Sequence, residues 1–459
     1  MIKTVRISDI RPAPYNPRRI SEEQFAKLQE SLRVIGFTVP ILVNSKNSII
    51  IAGHQRTKAA TAIGYTEVPA ILVSNVSSGD EIKFNQLHNG VDAQRGFECY
   101  VNTEGFKLGK FIDIEATRFT VKKAGATYVK EICRMLLKYG NVLSCVICRG
   151  EVLIGTNYVR ACELLGMTPR CYIIEDSLFD QAFDYMKADY GEYSYDAIEK
   201  STYVQGLAQM HRNLTKGDLK KRNKSTLYEN YVIPYLMSSE AESILDFGCG
   251  KGAYITHLMK NYEWAVGVEF FNNNGSQINV SMGNRQIDHL IEYLTKEKTF
   301  DVVVCDSVLN SVDSVKAEKS VMACLNLFCK NKLFISGRPL KAVLDKLGHS
   351  KDKSARKYVS YLDGDNFTGD YRKGNWYFQH FHDKEGIKQL LESSGFKIER
   401  MTYMTYMTYG DSWQVEAVKV RDLSRQEHID GVDFEFNLPL PGGKSYQRNE
   451  DVKRILGLI

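Results

Sequence analysis

The stretch ESILDFGCGKGAYITHLMKNYEWAVGVEFF, residues 242–271, decides the fold of the C-terminal half. A short apolar run, ILDF, stops at glycines spaced by two, Gly248, Gly250 and Gly252, and a helix-forming segment begins directly behind them. About twenty residues past the turn a second apolar run, AVGVE, ends on an acid, Glu269. Short apolar runs bounded by turn glycines are buried strands, and strand, glycine turn, helix, strand is the unit of a doubly wound parallel sheet. In such a sheet the glycines let a ligand approach the backbone, and the acid accepts hydrogen bonds from ribose hydroxyls. A dinucleotide fold follows the same logic, so the generic pattern leaves the ligand open.

The wording D-x-G-C-G-x-G, with Asp246 ahead of the glycines, resembles class I S-adenosylmethionine-dependent methyltransferases, and the resemblance runs from about residue 243 to 420. It implies a Rossmann-like α/β domain with S-adenosyl-L-methionine as cofactor. The cofactor-binding residues it implies are Asp246, Gly248, Gly250, Gly252 and Glu269, with the turn against the methionine part and Glu269 on the ribose. TFDVVVCDSVLNSVDS (299–314) is then the fourth strand and the turn that faces sulfonium and acceptor. KLFISGRPL (332–340) is the fifth strand, and EGIKQLLESSGFKIERM (385–401) is the helix, glycine, strand sequence that closes the sheet.

The acceptor side should be built from Asp306, Ser307, Asn310 and the loop after Arg338, including GNWYFQHF (374–381). Asp306 and Asn310 are the catalytic candidates, because a polar side chain at that turn can orient the acceptor or take its proton. Trp376, Tyr377 and Phe378 are either a stacking wall for an extruded base or a core cluster under the sheet. Amino-directed DNA methyltransferases carry (D/N)-P-P-(Y/F) where this chain has DSVLNS, and C5-directed ones carry Pro-Cys, whereas Cys305 has no proline before it. VVVCDSVLN, FISGRPL and WYFQHF together look most like methyltransferases associated with DNA-modification loci.

Working back toward the N-terminus, Lys216, Lys220, Lys221, Arg222 and Lys224 concentrate positive charge just ahead of this domain. They are either phosphate contacts for a nucleic acid or a solvated linker face. Further back, IAGHQRTKAATAIGYTEVP (51–69) is a strand, a glycine corner and an alanine-rich helix closed by Gly64. His54, Arg56 and Lys58 stand where a helix N-terminus offers unpaired N–H groups and positive dipole, which is a seat for a phosphate. Upstream come YNPRR (15–19), an amphipathic helix EEQFAKLQESLRVIG (22–36) and a proline-started strand FTVPILVNS (37–45).

In that order the first 90 or so residues resemble the ParB/sulfiredoxin-like N-terminal domain, on Asn16, Arg18, Gly53, His54 and Arg56. The resemblance implies a small α/β domain in which these five residues bind the phosphates of a nucleotide or of nucleic acid. The sulfiredoxin version needs a reactive cysteine in the corner, where this chain has Ala52, Gly53 and Gln55 around His54.

Residues 136–174 repeat the plan of residues 32–72: helix end at a glycine, strand, turn, strand, glycine, helix, glycine, strand. Gly53 and Gly64 are eleven apart, as are Gly155 and Gly166. The second corner reads GTNYVRA, with Asn157 and Tyr158 in place of Gln55 and Arg56, so a degenerate ParB-like copy without the phosphate-binding side chains is expected. Coincidence between two common strand, turn, helix units is the alternative.

The whole chain is 459 residues with a net charge of +5, enough for two or three cores and compatible with nucleic-acid binding without arguing for it. No apolar run approaches a membrane span and MIKTVRISDI lacks a signal-peptide core, so a cytoplasmic protein without membrane partners is expected. In that compartment the ten cysteines are free thiols. Cys145 and Cys148 open a C-x2-C pattern, but on a strand residues three apart point to opposite faces, so no metal ligand set is assigned.

The organisation expected is a ParB-like domain over 1–95, a degenerate repeat over 96–195, a helical basic linker over 196–240, a methyltransferase domain over 241–420 and a C-terminal extension over 421–459. The function expected is methylation of nucleic acid, DNA first, as in fusions of these two domains that resemble proteins of phages and mobile elements. A nucleotide at the ParB-like corner and a homo-oligomer are further partners to test. Two rivals stand beside it: methylation of a small molecule or protein with a nucleotide-sensing ParB-like domain, and a DNA-binding regulator with an inactive methyltransferase fold.

Overall fold

The computed structural model describes residues 1–82, 84, 98–122, 126–182, 192–200, 224–273, 277–342, 362–372, 374–405, 412–440 and 443–459. They form two compact units, Met1–Glu199 with two short later segments, and Lys200–Gly348 with residues 365–368 and Asn375–Ile459. The boundary expected between residues 95 and 96 and the basic residues Lys216 to Arg222 lie outside the described residues.

The first unit opens with β1 (Ile2–Arg6), α1 (Glu22–Val34), β2 (Ile41–Asn44), β3 (Ile50–Ala52), α2 (His54–Ala62) and β4 (Glu67–Val73). The sheet runs β1-β4-β2-β3, with β2 parallel to β4 and the outer strands antiparallel. Ser21 caps α1 by accepting the Gln24 N–H at 3.2 Å, and Leu28 and Leu32 on its inner face pack on Ile41, Val43 and Ile50. Pro40 contributes no N–H, and β2 starts directly after it.

A second sheet follows: β5 (Glu98–Val101), β6 (Phe111–Asp113), β7 (Phe119–Lys122), then helix α3 (Ala126–Tyr139), β8 (Cys145–Cys148), β9 (Glu151–Ile154), α4 (Thr156–Leu165) and β10 (Arg170–Ile173). Its order is β6-β10-β8-β9-β5-β7. Here β8 is parallel to β10 and antiparallel to β9, the pairing that β2 makes with β4 and β3. The N-caps of α2 and α4 are both left-handed glycines, Gly53 at φ +94° and Gly155 at φ +88°. Leu42, Ile51, Ile71 and Val73 of the first sheet share one apolar core with Cys145, Ile147, Tyr158, Cys171 and Ile173 of the second. Cys148 lies in a different core, with Val146 and Leu153, so the C-x2-C pair does face opposite ways. All ten cysteines are free.

The second unit holds a doubly wound sheet of β11 (Ser243–Phe247), α5 (Ala253–Leu258), β12 (Trp264–Val268), α6 (Val280–Lys296), β13 (Phe300–Asp306), α7 (Val315–Phe328), β14 (Cys329–Gly337), α8 (Lys384–Ser393), β16 (Phe396–Thr405) and β17 (Ser412–Lys419), with β15 (Asn375–His380) outside that sheet. The order is β12-β11-β13-β14-β17-β16, parallel through β14 and antiparallel in the last two strands. The strand read as the fourth is therefore the third of this sheet. Between Glu269 and Phe300 the described chain makes only an isolated Asn273–Ile278 bridge and then α6, whose Asn279 N-cap follows at once.

Residues 421–459, read as a C-terminal extension, pack into this core. Helix α9 (Arg425–Glu435) crosses α7 so closely that a Cβ on Gly431 would lie 2.8 Å from Ala323 Cβ. Asn326, fully buried on α7, donates to Ser394 O and Arg421 O, and its Oδ1 lies 2.9 Å from His428 Nε2. The Tyr446 hydroxyl donates to Phe270 O at 2.6 Å and lies where Gly283 of α6 has no side chain.

Candidate functional site

At the end of β11 the chain turns through three left-handed glycines, Gly248 (φ +92°), Gly250 (φ +59°) and Gly252 (φ +69°), and α5 begins. A Cβ on Gly248 would lie 2.3 Å from Val308 Cγ2, so this glycine is required by the close approach of the turn after β13. The Gly248 and Cys249 N–H groups donate to Val268 O at 2.8 and 3.1 Å, which pins the turn to β12. Buried Glu269 accepts from Gly250 N on Oε2 (3.0 Å) and from Phe271 N on Oε1 (2.9 Å). Each carboxylate oxygen has two lone pairs, so both retain capacity for a hydroxyl donor.

Asp246 is buried at the strand end, and Tyr228 donates its hydroxyl to Asp246 Oδ2 at 2.7 Å. Burial, then the Asp246 charge, push the Tyr228 phenol well above its ordinary value, so it stays a donor. Its ring stacks on Tyr254 of α5 with centroids 4.1 Å apart. Sequence reasoning missed Tyr228, which lies fifteen residues before β11 begins and carries no motif.

The acceptor-side candidates cluster at the turn after β13. Asp306 accepts from Ser336 Oγ (2.6 Å) and Ser307 Oγ (3.2 Å), and Ser307 is left-handed at φ +63°. Asn310 is buried and committed to backbone: Nδ2 donates to His380 O at 2.8 Å and Oδ1 accepts from Arg338 N at 2.6 Å. It ties the turn to β15 and to the end of β14. Asp313, a residue the sequence did not single out, is buried with Oδ2 making no hydrogen bond, and burial raises its carboxyl. Glu435 of α9 is pushed up to about 8 by burial, then by the Asp313 and Glu269 charges. Of the aromatic wall, Tyr377 and Phe378 are buried and Trp376 is half-exposed, its ring 6.1 Å from Phe378.

A further constellation had only the spacing H-x-H as a signal. Glu318 in the first turn of α7 meets His380, the last residue of β15, and His382, all three buried. Burial would raise the Glu318 carboxyl, but the hydrogen bond to His380 and the close contacts and charge of the two imidazoles outweigh it and hold it at about 2.

In the first unit the structure gathers Asn16, Arg18, Gly53, His54 and Arg56 at one corner. A Cβ on Gly53 would lie 2.4 Å from Ile41 Cδ1. Asn16 Oδ1 accepts from Arg18 N at 3.3 Å, and Gln55 Nε2 donates to Arg18 O at 3.2 Å. His54 Nε2 accepts from Ala13 N at 3.0 Å, while burial and the Arg18 charge lower its imidazole to about 4. His54 is thus a neutral pin that holds the 13–18 segment on the corner, not a cation. Buried Arg56 donates to Val39 O. At the second corner Tyr158 is wholly buried, donating to Asn141 Oδ1 (2.6 Å) and accepting from Arg170 N (2.7 Å).

Among the described residues no helix is long and apolar enough to cross a membrane. Residues 1–89 match the ParB N-terminal domain family, and residues 211–400 match a methyltransferase domain family. The ParB-like nuclease domain-containing protein YnaK of Escherichia coli is 38% identical over 71 residues, which is 16% of this chain and 80% of YnaK. The chromosome-partitioning protein Spo0J of Thermus thermophilus is 38% identical over 182 residues, 38% of this chain and 63% of that protein. Magnesium protoporphyrin IX methyltransferase of Synechocystis, solved with S-adenosylhomocysteine, is 18% identical with a TM-score of 0.27, covering 48% of this chain and 92% of that one. The chain belongs to the ParB N-terminal domain family, and behind that domain its residues 211–400 match a methyltransferase domain.

Proposed function

We propose that the protein methylates nucleic acid, DNA first, in the cytoplasm, and that its ParB domain positions the substrate by holding phosphate. The observation that carries this is the joining, in one chain, of a ParB N-terminal domain to the glycine turn and acid of a methyl-donor site. A relative of the first domain is a chromosome-partitioning protein, which supports DNA as the partner.

S-adenosylmethionine, when bound, supplies an electrophilic methyl group on a sulfonium. Gly248, Gly250 and Gly252 allow the backbone to approach it, and Glu269 accepts from its ribose hydroxyls. Tyr228 holds the Asp246 carboxylate in place at the strand end. Asp306 orients the acceptor and takes its proton, while Asn310 fixes the turn that carries Asp306 against β15 and β14. With no D-P-P-Y at this turn, the acceptor or its geometry differs from ordinary adenine-N6 or cytosine-N4 methylation.

At the ParB corner, the N–H groups opening α2 and the Arg56 and Arg18 guanidiniums form the phosphate seat, with His54 and Asn16 shaping it. The 96–195 region is a degenerate copy kept for architecture, since Tyr158 in place of Arg56 is a core side chain. The test is transfer of labelled methyl from the donor to DNA and RNA, with mass spectrometry of the digested nucleosides. Protein that binds the donor yet labels a small metabolite and no nucleic acid would overturn the nucleic-acid assignment.

A further inference from the structure

Glu318, His380 and His382 place a carboxylate oxygen and two imidazole nitrogens within 4.8 Å of one another in the interior of the second unit. We propose that they bind a divalent transition-metal ion of the zinc class. Glu318 Oε2 lies 2.7 Å from His380 Nδ1 and 2.8 Å from His382 Nε2, so one oxygen sits between two rings. The contact to His380 is a hydrogen bond. The contact to His382 is not: neither ring nitrogen of His382 has a hydrogen-bond partner, although the residue is only 6% exposed. A buried imidazole with two unsatisfied nitrogens is costly, and a cation at the point on which the three donors converge removes that cost.

The surroundings hold the donors in place. His380 O accepts from Asn310 Nδ2, and His382 O accepts from Leu340 N at 2.8 Å and from the Tyr403 hydroxyl at 3.2 Å. Phe367 stacks on the His380 ring with centroids 4.1 Å apart, and the Trp413 ring stands edge-on to His382. Histidines two apart on an extended segment present their rings on one side, which is how the last residue of β15 and the segment just after it supply two ligands. Two imidazoles and one carboxylate suit zinc and its neighbours, whereas magnesium and calcium take oxygen donors. Metal–donor distances of about 2.0–2.2 Å in a tetrahedron separate the donors by about 3.3 Å, so each imidazole nitrogen would stand about half an ångström farther from Glu318 Oε2 than it does here. Three protein ligands leave a fourth position for water. The ion would cross-link α7 to the segment after β15, behind the Asn310 turn.

The experiment uses the full chain freed of metal with a chelator and titrated with cobalt, then with zinc. Expected are one equivalent bound, visible cobalt d–d absorption, and a zinc X-ray absorption spectrum of nitrogen and oxygen scatterers without sulfur. His382→Ala and the near-isosteric Glu318→Gln should each lower uptake at least tenfold, while His289→Ala on α6 leaves it unchanged. Wild-type protein that is folded by circular dichroism yet takes up no stoichiometric metal overturns the site and leaves a proton-sharing His–Glu–His cluster. Sulfur in the zinc shell overturns it too, by assigning the ion to some of the ten thiols. Both outcomes are read on wild type, so a variant that fails to fold does not rescue the proposal.

Discussion

The backbone N–H of Gly250 donates to Glu269 Oε2 at 3.0 Å, so the glycine turn and the acid closing the second strand are fastened to each other by the protein itself. The carboxylate that we propose for the ribose therefore also fixes the turn that we propose lies against the rest of the donor.

Glu269→Ala should lose both roles. Hydrogen bonds to a charged group contribute about 1.5–3 kcal/mol, so affinity for S-adenosylhomocysteine should fall roughly 10- to 100-fold by calorimetry. Wild-type affinity in a folded Glu269→Ala protein would remove the acid from the donor site.

Gly248→Ala tests the turn by sterics alone. With φ at +92° and the new methyl aimed at Val308 Cγ2, the substitution should cost about 1–3 kcal/mol in urea denaturation and impair donor binding. Gly252→Ala has the same backbone strain and open space for its methyl, so it should cost less. The reverse order would contradict the Val308 contact.

Glu435 makes stability depend on pH in a defined direction. Its folded value of about 8 lies above the ordinary 4.5, so between those values the native state holds a proton that the unfolded chain releases. The contribution is fully present below about pH 4.5 and is lost as pH rises toward 8, with a slope of up to about 1.4 kcal/mol per pH unit. Glu435→Gln removes that slope, so the variant should gain on wild type in thermal stability as pH rises from 5 to 8. A parallel pH dependence in the two proteins would show that the acid is ionised throughout.

The two glycine corners should answer differently to substitution. Arg56→Ala should weaken DNA or nucleotide binding in fluorescence anisotropy, and more at low salt than at high. Tyr158→Phe should leave that binding unchanged while lowering stability by about 1–3 kcal/mol, because Asn141 and the Arg170 N–H lose their shared hydroxyl. Equal loss of binding in both would spread the phosphate seat across the unit.

Asp306→Asn keeps the shape of the acceptor turn and removes its ability to take a proton. Methyl transfer to nucleic acid should drop by about 10²- to 10⁴-fold with donor affinity retained. Unchanged transfer would remove Asp306 from the proton transfer.

Much of this was legible because strands and glycine turns write themselves locally. Gly53, Gly155, Gly248, Gly250 and Gly252 were visible as glycines ending apolar runs, and each is left-handed. What could not be read was whatever depends on distance along the chain. Tyr228 reaches Asp246 from eighteen residues away, and Glu318 meets His380 across sixty-two. The charge state of His54 was invisible for the same reason: burial and the Arg18 charge lower its imidazole, and both come from a segment, pinned through Ala13 N, that only the tertiary fold brings near. The residues after 420 carry no motif, yet Tyr446 and Asn326 with His428 lock them into the core.

The shared core of the first unit sets how that half of the chain can be cut. Residue 89 closes the match to the ParB N-terminal domain, but Leu42, Ile51, Ile71 and Val73 bury against side chains from beyond residue 98. A fragment ending at residue 89 would present that apolar face to water, and should aggregate or seek a second copy to cover it. Residues 1–199 should instead melt in one cooperative step and resist limited proteolysis as a block. The smallest inheritable piece of this architecture is thus larger than the sequence family that identifies it.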